Sequence, residues 1–210
     1  MSEIATPIPD ELLQRMRDGS EAALAEVFSI YRQRLRRIIR FRLDHRLARR
    51  VSDSDVLQDT YLAAARRLEH FRKQPQMSPL LWFRLVAQQQ LIDLHRQHLH
   101  AEMRDVRREV SIEQPAASPH TSLAMAARLV GAKTSVSEIV SRAESIERLE
   151  VILNTMDAID REVIALRHFE ELSNIETARV LDIEPAAASK RYVRAMGRLG
   201  DLMRKFSETE

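Results

Sequence analysis

The sequence predicts an all-α protein in which a flexible linker joins two small helical domains. Residues that favour helices, chiefly Ala, Leu, Arg, Glu and Gln, are abundant, whereas glycines number only four and strand-like alternation is scarce. Helical periodicity runs through residues 10–103, weakens over 104–134 and resumes over 135–206. The middle segment contains SIEQPAASPHTS (111–122), and such a cluster of Ser, Pro and Ala is typical of a linker.

The composition excludes several classes of protein. A chain without cysteine can form no disulfide, thiolate zinc site or catalytic thiol. The start of the sequence lacks the basic and apolar segments of a signal peptide, and no stretch approaches the roughly 20 apolar residues that span a bilayer. We therefore expect a cytoplasmic protein that does not insert into a membrane.

The positive charge is concentrated in three runs, although the formal net charge is only +2. These runs are the arginine-rich segment 32–50, the segment 95–108 and the segment 190–205. Arginine donates bidentate hydrogen bonds and stacks on planar groups, which suits nucleic acid. Because arginine content also follows the base composition of a genome, charge alone does not decide between nucleic-acid binding and a basic surface without a binding role.

In the first domain, one helix is predicted from Ser20 into the arginine-rich segment, and another from the capping sequence SDSD (52–55). On the second of these helices, Leu57, Ala64 and their neighbours at helical spacing form an apolar stripe. The opposite, exposed stripe consists of Asp55, Gln58, Asp59, Leu62 and Arg66.

A loop, FRKQPQMSP (71–79), separates that helix from another predicted over 80–99. The latter helix has one apolar stripe, containing Phe83, Ala87 and Leu91, and is rich elsewhere in glutamine, histidine and arginine. A large polar surface therefore remains for contacts with a partner.

The segment ELSNIETARVLDIEPAAASKRYVRAMGRL (171–199) predicts a helix-turn-helix. Ser173 and Glu176 have the spacing of a capping box, which begins a helix over about 174–181. Asp182 tolerates the left-handed backbone of a tight turn, and Pro185 suits the first position of the next helix.

The second helix of this pair has a basic face. Its inward residues are small or apolar, and Glu184 is predicted to cap its start. Its outward residues are Ala187, Lys190, Arg191, Arg194 and Arg198. Small side chains at the front of a recognition helix permit close approach to the major groove, and basic residues behind them reach bases or phosphates. The alternative is an α-hairpin with a solvated basic face.

At two places the sequence resembles bacterial sigma factors of the extracytoplasmic-function (ECF) type, in the sigma-70 superfamily. DVLQDTYLAAARRLEHF (55–71) and WFRLVAQQQLIDLHR (82–96) are similar to the family's region two. TMDAIDREVIALRHFEELSNIETARVLDIEPAAASKRYVRAMGRL (155–199) is similar to region four. Together these segments cover about two thirds of the chain.

The resemblance implies a factor that binds core RNA polymerase, directs it to promoter DNA and helps to open the duplex. The residues implied in polymerase binding are Asp55, Gln58, Asp59 and Leu62. Those implied in capture of the unpaired minus-ten strand are Phe71, Arg72, Lys73, Trp82, Arg84, Gln88, Gln89 and Arg96. Those implied in reading the minus-thirty-five duplex are Ala187, Ser189, Lys190, Arg191 and Arg194. For Phe71 and Trp82, packing in the core is the alternative to stacking on bases.

The sequence departs from the family pattern at several positions. Gln88 and Gln89 stand where an Arg–Asn pair is common, and Asp182 stands where the turn usually has glycine. The recognition helix has Ala187 and Ala188 in place of Thr–Val. These departures bear on the promoter sequence rather than on the class of protein. Within TSVSEIVSRAE (134–144) we expect an additional helix leading into region four.

Two other functions stay open at this point. One is a helix-turn-helix transcriptional regulator that acts without binding the polymerase core, which would leave the acidic stripe unexplained. The other is an interaction module that binds only an anti-sigma factor or a regulatory kinase, and both are further candidate partners of a sigma factor.

Catalytic chemistry is not expected. The sequence has no glycine-rich phosphate loop and no nucleophile elbow. His95, His98 and His100 fall on different faces of a helix, so they do not form a metal site. We expect no catalytic residue, metal or cofactor.

Overall fold

A computed structural model describes residues 8–44, 46–102, 119–130 and 136–208. Within these ranges the regular structure consists entirely of helices, as predicted. The chain divides into two compact units, Met1–Arg108 and Glu109–Glu210. Each unit is described by itself.

The N-terminal unit is a bundle in which α2, α3 and α5 pack against one another and α1 packs on α2. Its α-helices are α1 (Asp10–Arg17), α2 (Glu21–Arg42), α3 (Asp53–Arg66), α4 (Leu68–Arg72) and α5 (Pro79–Glu102). A short 3₁₀ turn, Leu47–Arg49, lies between α2 and α3.

Aromatic side chains form the centre of this bundle. The ring of Phe28 lies 5.2 Å from that of Tyr61 and 5.1 Å from that of Phe83, in edge-to-face geometry. The ring of Trp82 lies 4.8 Å from Phe71 and 5.1 Å from Phe83. The cluster joins α2, α3, α4 and α5, so the exposed faces of these helices have fixed orientations relative to one another.

Serine residues begin α2 and α3, as the sequence predicts. The Ser20 hydroxyl accepts a hydrogen bond from the backbone N–H of Ala23 at 3.2 Å. The Ser52 hydroxyl accepts from the N–H of Asp55 at 3.1 Å, and the Asp55 carboxylate accepts from the N–H of Ser52 at 3.1 Å. These two reciprocal bonds form a capping box at the start of α3.

The C-terminal unit is also helical in the part that the structure describes. Its helices are α6 (Pro119–Leu129), α7 (Val136–Asn154), α8 (Ala158–Ile164), a π-helical turn (Ala165–Phe169), α9 (Asn174–Leu181) and α10 (Pro185–Ser207). Helix α7 begins within the segment for which the sequence predicts an additional helix.

Helix α6 differs from the sequence expectation, which treated 104–134 as linker. It packs on α7, and its Met125 and Ala126 are fully buried. The proline at its start resembles a linker signal, but proline is also favoured in the first turn of a helix. The rest of the predicted linker, 104–118 and 131–134, lies outside the described residues.

Helices α9 and α10 form the predicted helix-turn-helix. Ser173 and Glu176 make the capping box, with bonds of 2.9 and 3.2 Å. Asp182 ends α9 in the left-handed conformation, with φ 53°. Glu184 occupies the N-cap position of α10, but its side chain makes no cap hydrogen bond, which corrects that detail of the prediction. Shorter side chains reach the first-turn N–H groups better than glutamate does.

A second left-handed residue, Glu171, redirects the chain between the π-helical turn and α9. Its φ is 59°. The N–H of Leu172 then donates to the carbonyl of Leu166 at 2.9 Å, which closes the turn. Both Glu171 and Asp182 carry a side chain where only glycine adopts positive φ without steric cost.

Replacement of either acid by glycine should therefore stabilise the C-terminal unit. For Glu171→Gly and for Asp182→Gly we expect the free energy of unfolding to rise by about 0.5–1 kcal/mol, because the left-handed backbone is relieved of strain. Urea denaturation measures the change. The reverse exchange at Gly19 (φ 96°), Gly19→Ala, should lower stability. Glycine variants that are less stable than the parent chain would contradict the strain assigned to these turns.

Candidate nucleic-acid interface

The four residues predicted to bind polymerase lie on one exposed face of α3. Asp55, Gln58 and Asp59 are exposed, and 45% of Leu62 is accessible to solvent. The predicted core face of the same helix, with Leu57 and Ala64, is buried. The face thus combines two acids, an amide and an apolar side chain.

Asp55 belongs to this face and also to the capping box of α3. Its carboxyl accepts hydrogen bonds from the side chain and the backbone N–H of Ser52. These bonds lower the pKa of Asp55 below its usual value, with the side-chain bond as the larger cause. The carboxylate at the front of α3 is therefore held ionised.

Part of the arginine-rich segment has a structural role that the sequence did not reveal. The guanidinium groups of Arg36 and Arg40 donate to the Asp53 carboxylate at 3.1 and 2.8 Å. They lower the pKa of Asp53, and the hydrogen bond from Arg36 is the largest cause. Arg46 donates to the fully buried Asp44 at 2.9 Å. These arginines fix the start of α3 and the end of α2.

Three residues predicted to contact the unpaired strand are buried. Phe71 and Trp82 pack together in the aromatic cluster, and Arg84 is 2% exposed. The Arg84 guanidinium donates to the side-chain carbonyl of Gln88 at 2.7 Å. For Phe71 and Trp82 the structure supports core packing, the alternative that the sequence left open. Contact of these three residues with the unpaired strand stays a prediction.

The remaining residues of that prediction are at least partly accessible. Arg72, Lys73 and Arg96 are exposed, whereas Gln88 and Gln89 are half-buried. The Gln89 amide donates to Asp93 at 2.9 Å on the next turn of α5. The accessible cations therefore lie at the start of the loop and on the later turns of α5.

The histidines predicted not to bind metal are only partly described. The side chains of His98 and His100 lie outside the described part of the chain. Burial lowers the pKa of His95, while nearby Asp44 opposes that change and Arg46 adds to it. His95 therefore favours its neutral form at neutral pH and is a weak partner for phosphate.

The outer face of α10 presents most of the predicted duplex-reading residues together. Ala187, Ser189, Lys190 and Arg194 are exposed, while Ala188 on the opposite side is fully buried. The same face contains a residue that the prediction omitted: Val193 is 68% exposed. Its position on the outer face follows from helical spacing, but an apolar side chain is not in itself a signal of nucleic-acid binding.

Arg191 differs from the other members of that set. Its guanidinium lies 3.1 Å from one oxygen of Asp160 in α8, and Arg198 donates to the other oxygen at 2.5 Å. Asp160 is almost completely buried. Arg191 is thus engaged within the unit, and its role in reading the minus-thirty-five duplex stays a prediction. The ion pairs of Asp160 could not be predicted from the sequence because Arg191 and Arg198 lie 31 and 38 positions further along the chain.

The model of the ECF sigma factor family matches residues 9–204, nearly the whole chain. The chain belongs to the ECF sigma factor family. It is therefore an RNA polymerase sigma factor, and its partners are core polymerase and promoter DNA.

Solved structures are similar to this sigma factor at low sequence identity. CnrH in complex with the cytosolic domain of CnrY matches with 22% identity over 93% of this chain and 96% of that chain, at a TM-score of 0.53. The sigma factor RpoE in complex with the anti-sigma factor NepR from Bartonella quintana matches with 16% identity over 85% and 97%, at a TM-score of 0.47. No curated protein sequence matches significantly.

The family assignment applies to both helical units, because the matched residues 9–204 include parts of each. Members of this family are transcription initiation factors rather than enzymes. In the described part of the sigma factor, every helix is too short or too polar to cross a bilayer. The segments that resemble regions two and four lie in the N-terminal and C-terminal units, respectively.

Asp160 should be essential for holding α10 of the sigma factor against α8. In Asp160→Asn, we expect the free energy of unfolding to fall by about 2–3 kcal/mol. Breaking a buried ion pair costs more than this, and the water access of both arginines reduces the loss. Asp201→Asn is the matched control, because Asp201 pairs with Arg204 on the surface of α10. Equal losses for both variants in urea denaturation would contradict a special role for Asp160.

Proposed function

We propose that this sigma factor uses three surfaces, one for each of its contacts with polymerase and promoter DNA. The exposed face of α3 docks on core polymerase, the loop between α4 and α5 together with α5 captures the unpaired minus-ten strand, and the outer face of α10 reads the minus-thirty-five duplex. The observation that carries the proposal is the exposed front of α10, in which small, polar and basic residues follow a helix-turn-helix.

The chemistry of the α3 face favours a protein partner. Asp55 and Asp59 repel phosphate, so this face is unsuited to nucleic acid. Leu62 supplies apolar area at its centre, and Gln58 supplies both a donor and an acceptor. A basic or amphipathic surface of the polymerase would match this combination of groups.

The loop and α5 retain enough accessible polar groups to hold a single strand. Lys73 and Arg96 supply positive charge for the phosphate backbone, and Gln88 and Gln89 supply donors and acceptors for base edges. Phe71 and Trp82 would support the loop from the core rather than stack on bases. Recognition in this proposal therefore depends on hydrogen bonds and loop shape.

The front of α10 is suited to the major groove. Ala186 and Ala187 are exposed and lack bulk, so the backbone can approach the base edges. Lys190 and Arg194 lie one and two turns further on, where they can reach guanine or phosphate. Val193 offers an apolar contact to the methyl group of thymine.

The proposal includes the setting in which the protein acts. A partner of RNA polymerase works in the cytoplasm, and we propose no enzymatic activity of its own. An anti-sigma factor or a regulatory kinase is a candidate regulator, and the similar protein CnrH was solved in complex with the cytosolic domain of a second protein, CnrY. The rival function, a regulator without polymerase binding, would leave the α3 face without a role.

Reconstitution tests the proposal as a whole. The purified chain is combined with core polymerase, and run-off transcription is measured on promoter DNA selected from random sequences. Transcription that requires the chain supports the proposal. DNA binding without polymerase binding would support the rival regulator instead.

The α3 face is tested by reversal of one charge. Asp59→Lys should weaken binding to core polymerase at least tenfold, because it places an unfavourable charge at the interface. A tenfold loss corresponds to about 1.4 kcal/mol of binding free energy. Asp59 is preferable to Asp55 because Asp55 also caps α3. The control is Glu11→Lys, which makes the same change on the exposed surface of α1. Equal binding of both variants to polymerase would remove the α3 face from the proposal.

The α10 face is tested by removal of two basic side chains. Lys190→Ala and Arg194→Ala should each weaken binding to the minus-thirty-five duplex. A phosphate contact would reduce the slope of log K against log salt by about 0.9, whereas a base contact would cost about 1–3 kcal/mol and relax specificity at one base pair. Arg204→Ala, near the end of the same helix, is the control. Loss of affinity in the control alone would place the DNA elsewhere on the unit.

A further inference from the structure

Arg17, at the end of α1, makes hydrogen bonds to a loop of the N-terminal unit that is distant along the chain. Its guanidinium donates to the backbone carbonyls of Pro75 at 2.8 Å, Met77 at 3.2 Å and Gln74 at 3.5 Å. All three acceptors belong to the loop between α4 and α5. No pattern along the chain predicts this contact, since it joins residues 57 to 60 positions apart.

The segment bound by Arg17 is a tight turn. The N–H of Met77 donates to the carbonyl of Gln74 at 3.0 Å, and Pro75 occupies the second position of the turn, where its fixed φ is favourable. The Ser78 hydroxyl then accepts from the N–H of Leu81 at 3.3 Å and begins α5. The turn is therefore closed from within and held from outside by Arg17.

The last residue of α4, Arg72, also binds the end of α1. The Nε of Arg72 donates to the carbonyl of Arg17 at 2.8 Å, at the end of α1 where a cation is favoured. The Arg17 guanidinium also lies 4.9 Å from the centre of the Phe71 ring, on the aromatic cluster. We call these contacts of Arg17 and Arg72 the α1–loop clamp.

The clamp replaces water at the loop carbonyls with a rigid partner. Carbonyl groups in a surface turn normally bond to water, and the turn then samples many conformations. A planar guanidinium presents several donors in fixed geometry, so it restrains the carbonyls that it binds. A loop that is already ordered loses less conformational entropy when a partner binds.

We propose that Arg17 is a positioning residue that preorganises the loop 73–77 for capture of the unpaired minus-ten strand. Arg17 itself need not touch DNA; it acts through the backbone of the turn, on which the exposed Lys73, Gln74 and Gln76 are carried. This inference rests on the proposed role of the loop. It assigns to α1 a part in strand capture that its position in the sequence does not suggest.

The test uses holoenzyme assembled from core polymerase and the full chain. Binding is measured to a single-stranded minus-ten oligonucleotide and to a series of the same oligonucleotide with one abasic site each. For Arg17→Ala we expect about tenfold weaker binding to the intact strand. Affinity for core polymerase and for the minus-thirty-five duplex should be unchanged. At one or more positions, an abasic site should weaken the parent holoenzyme to the level of the variant without weakening the variant further.

Three further variants separate positioning from charge and from stability. Arg17→Lys keeps the charge but lacks the planar fork, so it should bind the strand as weakly as Arg17→Ala. Arg15→Ala removes a cation from the same helix, where Arg15 lies 3.6 Å from Glu26, and should bind as the parent does. Pro75→Gly loosens the turn without altering Arg17 and should reproduce the defect, even if Arg17→Ala proves too unstable to assay.

Several results would overturn the inference. Parent-like strand binding by Arg17→Ala or Arg17→Lys would show that the fork is not needed, and an equal defect in Arg15→Ala would show that only charge matters. If every abasic site weakened strand binding by the same factor in the parent and in Arg17→Ala, Arg17 would have only a structural role. If the parent holoenzyme itself fails to bind the strand, the proposed function of the loop falls, and the inference falls with it.

Discussion

Contact between Phe71 and Trp82 is the constraint on which the N-terminal unit depends. These two rings close the base of the loop between α4 and α5, with their centres 4.8 Å apart. The chain between them, residues 72–81, must therefore turn back on itself, and Pro75 and Ser78 favour such a turn. The same cluster reaches Phe83, and through Phe28 it reaches Tyr61 of α3. One packed core thus orients both the loop between α4 and α5 and the exposed face of α3.

A buried carboxylate has the corresponding role in the C-terminal unit. Asp160 receives two arginines from α10 and so sets the rotation of that helix about its axis. With Arg191 and Arg198 turned toward α8, the outward direction is defined by Lys190, Val193 and Arg194. Burial of a single charge is unfavourable unless it is paired, so the buried Asp160 carboxylate requires the two arginines as partners.

The sequence predicted the features that depend on neighbours along the chain. Ser173 with Glu176 and Asp182 each act within a few residues, and the helix-turn-helix followed from them. Burial and distant pairing were not predictable. Arginine is a typical DNA contact, but Arg84 is buried in the bundle and Arg191 pairs with a carboxylate 31 positions away. Helix α6 was missed for a related reason, because its stability comes from packing on α7 rather than from a strong local signal.

In the proposed docking, Asp55 would serve two partners through one carboxylate, namely Ser52 of its own helix and core polymerase. Both hydrogen bonds from Ser52 fall on Oδ2, which leaves the second oxygen, Oδ1, outside the cap. A cation on a docking partner can therefore bind Oδ1 while the start of α3 stays capped. Polarisation by that cation would weaken the bonds from Ser52, and those bonds equally temper the attraction for the cation. Association and the fraying of one helix end thus become thermodynamically linked variables, and each shifts the other by the same free energy.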